Sequence, residues 1–206
     1  MPAIGITGGI STGKTTFCEC LHEVLPSAKF FNADEAAHML LELSGVKREI
    51  RAEFGSSVFS SHGDLNRAHL RAIIFGDANK KRALERILHP RIHRQWRTEA
   101  KSYRNSPNFF FADIPLLYET GGETLCDRVV VVSCSEKMQL ARLKKRMSIT
   151  ATEARKMIES QVSLKEKMRR ADHVVWNNGD RTALIEQARF SVALWQRQTW
   201  TTKQRH

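Results

Sequence analysis

The stretch GITGGISTGKTTF, residues 5–17, decides the fold. Within it, Gly8 to Thr15 fit the pattern G-x-x-x-x-G-K-[ST], with a strand pattern before the glycines and a helix pattern after them. Glycines let the backbone curl so that successive N–H groups point at phosphate oxygens, and the helix amino terminus adds partial positive charge. We therefore predict a nucleotide-binding loop formed by Gly8, Gly9, Ser11, Thr12, Gly13, Lys14, Thr15 and Thr16.

The side chains of this loop point to ATP and Mg²⁺. Lys14 can reach the β and γ phosphates as a mobile charge, and the Thr15 hydroxyl is placed to ligate Mg²⁺. A glycine-rich turn without a ligand is the alternative, which the flanking strand and helix patterns disfavour. The loop alone leaves three classes open: a motor or switch, a nucleic-acid machine, and a small-molecule kinase.

Length, charge and cysteine usage narrow the class of protein. The chain has 206 residues and a formal net charge of +11, which predicts one domain with room for an inserted lobe and favours polyanionic partners. Without a basic leader or an apolar run long enough to cross a bilayer, we expect a cytoplasmic protein. Four cysteines show neither a CxxC pair nor zinc spacing, so we interpret them as reduced packing residues: Cys18, Cys20, Cys126 and Cys134.

Short apolar runs alternate with helical patterns and predict an α/β fold with a parallel, doubly wound sheet flanked by helices. Predicted strands cover residues 3–7, 28–31, 109–113, 128–134 and 173–176. Predicted helices run from Lys14 to Leu25, from about Glu136, from a capping box at Thr150 and Glu153, and through a last segment with an apolar face. That face consists of Leu184, Ala188, Val192 and Trp195, and residues 201–206 are expected to be frayed.

The order of these patterns suggests three regions. Residues 34–104 show only helical patterning and are predicted to form an inserted lobe that binds the acceptor substrate. Residues 1–33, 105–134 and 171–206 would form the nucleotide-binding core, and residues 135–170 a lid.

Two aspartates follow predicted strands, and each has two interpretations. In open parallel sheets, ligands bind beyond the carboxyl ends of the strands, which is where Asp34 and Asp113 fall. Asp34 is either the N-cap of the following helix or a carboxylate that takes a proton from the acceptor hydroxyl. Asp113 is either a strand-end turn residue before Pro115 or, as we favour, a ligand of Mg²⁺.

Arg142 and Arg146 are four residues apart and share one face of a predicted helix. From Arg142 to Arg170 the chain has ten Lys or Arg residues against three acidic ones. Such a run is usually a solvated helix face. With a phosphate-binding loop elsewhere in the chain, a basic pair that closes over ATP is a serious rival, because it would neutralise charge on the transferring group and exclude water.

Several segments together resemble the dephospho-coenzyme A kinase family. In order, they are ITGGISTGKTT, NADEAAH around Asp34, FG at 54 and 55, GDLNRAHL, ILHPRI, DIPLLYE from Asp113, the helix with Arg142 and Arg146, Gln161, and ADHVVWNNG. The resemblance implies a nucleotide-kinase-like fold and ATP-dependent phosphorylation of the 3′-hydroxyl of dephospho-coenzyme A, with Mg²⁺. It also implies that Asp34 is the general base, that Arg142 of the lid reaches phosphates, and that Asn178 belongs to the nucleotide site. His89-Pro90 matches the substrate lobe, with a helix end near the proline as the alternative.

This chain also departs from the family pattern. Asn32 stands where the family usually has Asp, His38 where it often has Arg, and Met147-Ser148 in place of a polar or glycine turn. Ser11-Thr12 replaces the more usual glycine-serine, and neither residue should clash if its φ angle stays negative.

Two rival functions follow from the same scaffold. Another small-molecule or nucleoside monophosphate kinase would share the loop and differ in the lobe. A basic nucleic-acid binder is disfavoured because the basic residues are not interleaved with aromatics in the middle of the chain. We therefore expect ATP and dephospho-coenzyme A as partners, without nucleic acid or membrane.

Overall fold

The computed structural model describes residues 3–103 and 106–197 and contains one five-stranded sheet. Its strands are β1 (Ala3–Gly8), β2 (Lys29–Asn32), β3 (Phe110–Asp113), β4 (Arg128–Ser133) and β5 (His173–Trp176). They lie in the order β2-β3-β1-β4-β5, and β1 pairs in parallel with β3 and β4, as β4 does with β5. The predicted α/β fold with a parallel sheet is confirmed.

The chain divides into two compact units, one formed by Met1–Phe31 with Glu99–His206 and the other by Asn32–Thr98. In the first unit, the helices after the sheet strands are α1 (Lys14–Val24), α6 (Glu136–Met147), α7 (Ala151–Glu159), α8 (Leu164–Arg170) and α9 (Arg181–Arg197). A 3-10 helix spans Gly122–Leu125. The tail at 201–206, predicted to be frayed, lies outside the described residues.

The core of the first unit forms because β1, β3 and β4 are buried over nearly their whole length. Continuous apolar runs of this kind are typical of parallel strands that are covered on both faces. Helices α1 and α9 pack on the sheet and on each other. The predicted apolar face of α9 is confirmed, because Leu184, Ala188, Val192 and Trp195 are all buried. The predicted capping box at Thr150 and Glu153 is also confirmed, and it begins α7.

The second unit is helical. It contains α2 (Ala33–Leu40), α3 (Ser44–Phe54), a 3-10 helix at Ser56–Val58, α4 (Arg67–Gly76) and most of α5 (Ala78–Tyr103). Its buried apolar residues include Val46, Ile50, Leu70 and Trp96. Across both units, no helix of the described residues is long and apolar enough to span a membrane.

Helix α5 continues through Pro90, so the interpretation of His89-Pro90 as a helix end is wrong. Proline removes one backbone donor and crowds the preceding turn. The carbonyl that loses its donor is that of Arg86, four residues before Pro90, whereas the next carbonyl, that of Ile87, accepts a bond from Arg91 Nη1 at 2.6 Å. Leu88 before Pro90 and Ile92 after it are both buried. Their packing favours one uninterrupted helix. His89 is half-buried, and burial lowers the pKa of its imidazole.

Candidate active site

The predicted nucleotide loop lies between β1 and α1. Gly13 has φ 93° and ψ 26°, in the left-handed region, and a Cβ there would lie 2.0 Å from Asn177 Nδ2. A Cβ on Gly8 would lie 2.5 Å from the carbonyl oxygen of Val132. Both positions therefore require glycine, for backbone conformation at Gly13 and for space at both.

Ser11 does not meet the condition under which it would fit the loop without strain. Its φ is 60° and not negative. Its hydroxyl oxygen is buried, and no hydrogen-bond partner for it lies among the described residues. Thr12 shows no positive φ, and its Oγ1 donates to the Gly9 carbonyl at 2.9 Å. The tight loop path, which glycine would follow without strain, forces Ser11 into the left-handed region.

Amide side chains from outside the loop bind its backbone. Gln161 Oε1 accepts the Ile10 N–H at 3.1 Å, and Gln139 Nε2 donates to the Ile10 carbonyl at 2.9 Å. Asn177 Nδ2 donates to the Thr12 carbonyl at 2.8 Å. These bonds fix three peptide groups of the loop, because the N–H and the carbonyl of Ile10 belong to different peptides. The sequence alone did not assign these roles, because each bond joins residues more than 120 positions apart.

The amino terminus of α1 is available to an anion. Its N-cap, Gly13, has no side chain to cap the helix, and the first turn holds no acidic residue. Orphan N–H groups and the helix dipole together favour a phosphate at such an end. Of the predicted loop residues in this turn, Thr15 is exposed, whereas Lys14 and Thr16 are partly buried.

Lys14 and Asp113 form an ion pair, with side-chain exposures of 13% and 6%. Asp113 is the last residue of β3. Its carboxylate binds the ammonium of Lys14, which the alternative interpretation as a turn residue does not explain. Cys18 lies one helical turn after Lys14. Burial, followed by the charge of Asp113, raises the pKa of its thiol, which keeps the sulfur neutral.

Arg142 lies against the loop, and Arg146 is exposed one turn further along α6. The Nη1 of Arg142 donates to the carbonyls of Asn177 at 3.0 Å and Thr12 at 3.4 Å. Asn178, which is predicted to bind the nucleotide, accepts the Ser135 N–H at 2.8 Å before the start of α6. Its neighbour Asn177 is the residue whose side chain contacts the loop.

Asp34 belongs to the second unit and is the second residue of α2. The helix is capped by Asn32, whose Oδ1 accepts the N–H groups of Asp34 at 2.9 Å and Glu35 at 3.0 Å. The interpretation of Asp34 as the N-cap is therefore wrong. Asn32 has the extended backbone that an N-cap requires, with φ −111° and ψ 116°. The carboxylate of Asp34 is exposed and is not used for capping.

Comparison with known proteins identifies the family. The family model described as dephospho-CoA kinase matches residues 2–183. The chain belongs to the dephospho-CoA kinase family. The resemblance seen in the sequence is thereby confirmed. A dephospho-CoA kinase of Geobacillus kaustophilus is 36% identical over 195 residues, which cover 93% of this chain and 96% of that protein.

Solved structures support the fold assignment of this family member. A crystal structure of a Thermus thermophilus protein superposes with a TM-score of 0.78 at 27% identity, covering 96% of this chain and 98% of that one. A dephospho-CoA kinase of Campylobacter jejuni has a TM-score of 0.66 at 23% identity, covering 94% of this chain and 96% of that one. The second likeness concerns the fold alone.

Proposed function

We propose that this chain transfers the γ-phosphoryl group of ATP to the 3′-hydroxyl of dephospho-coenzyme A, giving coenzyme A and ADP. One observation of the structure carries the proposal most directly. In a chain of this family, Lys14 and Asp113 meet at a glycine loop whose following helix has no side-chain cap. A cation, a carboxylate and free helix N–H groups are the parts that hold a nucleoside triphosphate with its metal.

The ATP half of the site uses backbone and positive charge. N–H groups of the loop and the first turn of α1 would bind the β and γ phosphates, and Lys14 would move from Asp113 to the phosphates. Arg142 would supply charge to the transferring group from beside Thr12. We assign Gly8, Gly9, Ser11, Thr12, Gly13, Thr15 and Thr16 to the same nucleotide site, with residues 135–170 as its lid.

The donor set fits a magnesium ion. Mg²⁺ prefers oxygen ligands and takes only one or two from protein when phosphates and water provide the rest. The Asp113 carboxylate and the Thr15 hydroxyl are such oxygens, and Asp113 is buried at the end of β3. When bound, Mg²⁺ neutralises charge on the phosphates.

Asp34 is our candidate for the general base of the acceptor half. Its carboxylate would accept the proton of the 3′-hydroxyl as the 3′-oxygen forms a bond to the γ-phosphorus. The bond from that phosphorus to the bridging oxygen breaks, and ADP leaves. Because Asn32 caps α2, the carboxylate of Asp34 remains available for this role.

Substrate choice is tested with purified protein, ATP and a panel of acceptors in a coupled ADP-release assay. We expect turnover with dephospho-coenzyme A and little with AMP, UMP or nucleosides. Preference for a nucleoside monophosphate would reject the proposed acceptor while leaving the nucleotide loop intact.

The catalytic assignments are tested with three variants in the same assay. Asp34→Asn should lower kcat strongly while keeping the affinity for ATP. Lys14→Ala should lower both kcat and the affinity for ATP. Glu35→Gln is the matched control for Asp34, because Glu35 is the next residue of the same helical turn and is equally exposed. Near-full turnover of a folded Asp34→Asn protein would remove Asp34 from the mechanism.

A further inference from the structure

A lysine of α8 is fully buried beneath the nucleotide loop, and the mechanism above does not use it. The ammonium of Lys167 lies 2.9 Å from Glu119 Oε1, 3.2 Å from the Gly8 carbonyl oxygen and 3.3 Å from the Pro115 carbonyl oxygen. The side chain has 0% exposure. Lysine is almost never fully buried unless paired, and its ammonium has three donors. Here three acceptors match them.

These acceptors belong to segments that also carry the proposed site. Gly8 is the first residue of the loop, and Pro115 follows Asp113 by two residues. The Pro115 carbonyl also accepts the Thr7 hydroxyl at 3.0 Å. Glu119 Oε1 accepts the Val162 N–H at 3.0 Å, so the carboxylate joins the segment before α8 to the same cluster. The ion pair between the buried Lys167 ammonium and the partly exposed Glu119 carboxylate therefore links the end of β1, the segment after β3 and α8.

The bond to Gly8 also orients the loop. A trans peptide is planar, so its carbonyl and its N–H point in opposite directions. With the Gly8 oxygen held by the buried ammonium, the N–H of Gly9 is directed away from Lys167. The bond to Pro115 likewise fixes the peptide that follows the Asp113 segment. Loss of the ammonium would remove its bond to the Gly8 carbonyl and would leave the Pro115 carbonyl with the Thr7 hydroxyl as its donor.

We propose that Lys167 is a positioning residue for nucleotide binding, acting through the carbonyls of Gly8 and Pro115. This inference rests on the proposed function only in taking the loop as the ATP site. Lys167 touches no phosphate and takes no part in proton transfer. Its effect is to hold the loop and Asp113 in fixed relative positions, and an error of about 1 Å in such positioning can cost about 100-fold in rate.

The main test variant is the double substitution Lys167→Met with Glu119→Gln. It removes both charges of the ion pair together, so neither is left without its partner, and the new amide oxygen can still accept the Val162 N–H. Calorimetry with ATP in EDTA measures affinity without metal or acceptor. We expect ATP to bind at least tenfold more weakly, and kcat/KM for ATP to fall about 100-fold. The KM for dephospho-coenzyme A should stay within twofold of the parent.

Arg170→Gln is the matched control. Arg170 lies on the same helix, and both of its partners lie outside the loop, since it pairs with Glu123 and stacks over Tyr118. Its loss should lower the thermal midpoint without changing ATP affinity. A purely structural role for Lys167 would give the same pattern in the double variant.

Lys167→Gln is measured alongside in case the double variant does not fold. Its amide keeps two donors, so we expect a smaller loss of ATP affinity, about threefold to tenfold. ATP affinity within twofold of the parent in either folded variant overturns the proposal. Failure of the parent to phosphorylate dephospho-coenzyme A would reject the proposed acceptor instead, because the calorimetric result does not involve that substrate.

Discussion

Replacing Ser11 with glycine should stabilise the ligand-free protein. A left-handed backbone, φ 60° in this case, costs an L-residue about 1–2 kcal/mol. The extra freedom of glycine in the unfolded chain offsets about 0.4–1 kcal/mol of that, which leaves a gain of about 1 kcal/mol. Removal of the buried hydroxyl without a partner adds about 1 kcal/mol or more. For a chain of this size, a total of about 2 kcal/mol corresponds to a rise in thermal midpoint of about 4–8 °C.

Calorimetric melting and urea unfolding measure this gain, and Ser148→Gly is the control. Ser148 also has a positive φ, 54°, but it is exposed after α6, so only the backbone gain of about 1 kcal/mol applies. We expect a rise of about 2–4 °C for Ser148→Gly. If Ser11→Gly lowers the free energy of unfolding, or raises it no more than Ser148→Gly does, then the Ser11 hydroxyl does not destabilise the free protein.

Three further changes test local features of the structure. Gly13→Ala should destabilise the protein by about 2–3 kcal/mol in urea unfolding and abolish ATP binding in calorimetry, because its Cβ meets Asn177 and its φ is 93°. Thr150→Ala should lose about 1 kcal/mol in the same unfolding assay, since it removes the cap of α7. Burial lowers the pKa of His173 below the ordinary histidine value of about 6.5, so the unfolded state binds the proton more readily. The free energy of unfolding should therefore be constant above that pH and fall as the pH drops through the lower folded pKa, and His173→Gln should reduce this fall.

The strands could be predicted from sequence because each is a short apolar run, and all five lie within one residue of the predicted bounds. Helices α3 and α8 were not singled out. Helix α8 has only seven residues, mostly charged, so it lacks an apolar period. Ser163 and Glu166 provided the one usable signal, since the Ser163 hydroxyl accepts the Glu166 N–H at the helix start.

The candidate site could be predicted where a short sequence motif determines the path of the backbone. The glycine loop fixes the path of the backbone, and the end of β3 brings Asp113 to Lys14. Of the two interpretations of Asp34, the N-cap is wrong because Asn32, two residues earlier, caps α2. Asparagine in place of the family's usual aspartate still accepts two N–H groups there, so the substitution leaves the cap in place and removes one negative charge beside Asp34.

Lys167 shows why a charge pattern cannot assign roles to its members. In sequence it is one of ten basic residues between Arg142 and Arg170, a run that usually indicates a solvated face. Its neighbour Arg169 fits that description, with 73% exposure and a partner on its own helix. Lys167 differs because its partner, Glu119, is 48 residues away in the chain and the carbonyl of Gly8 is 159 away. Burial is decided by these distant partners, so a lysine that supports the loop and one that faces water have the same local sequence signal.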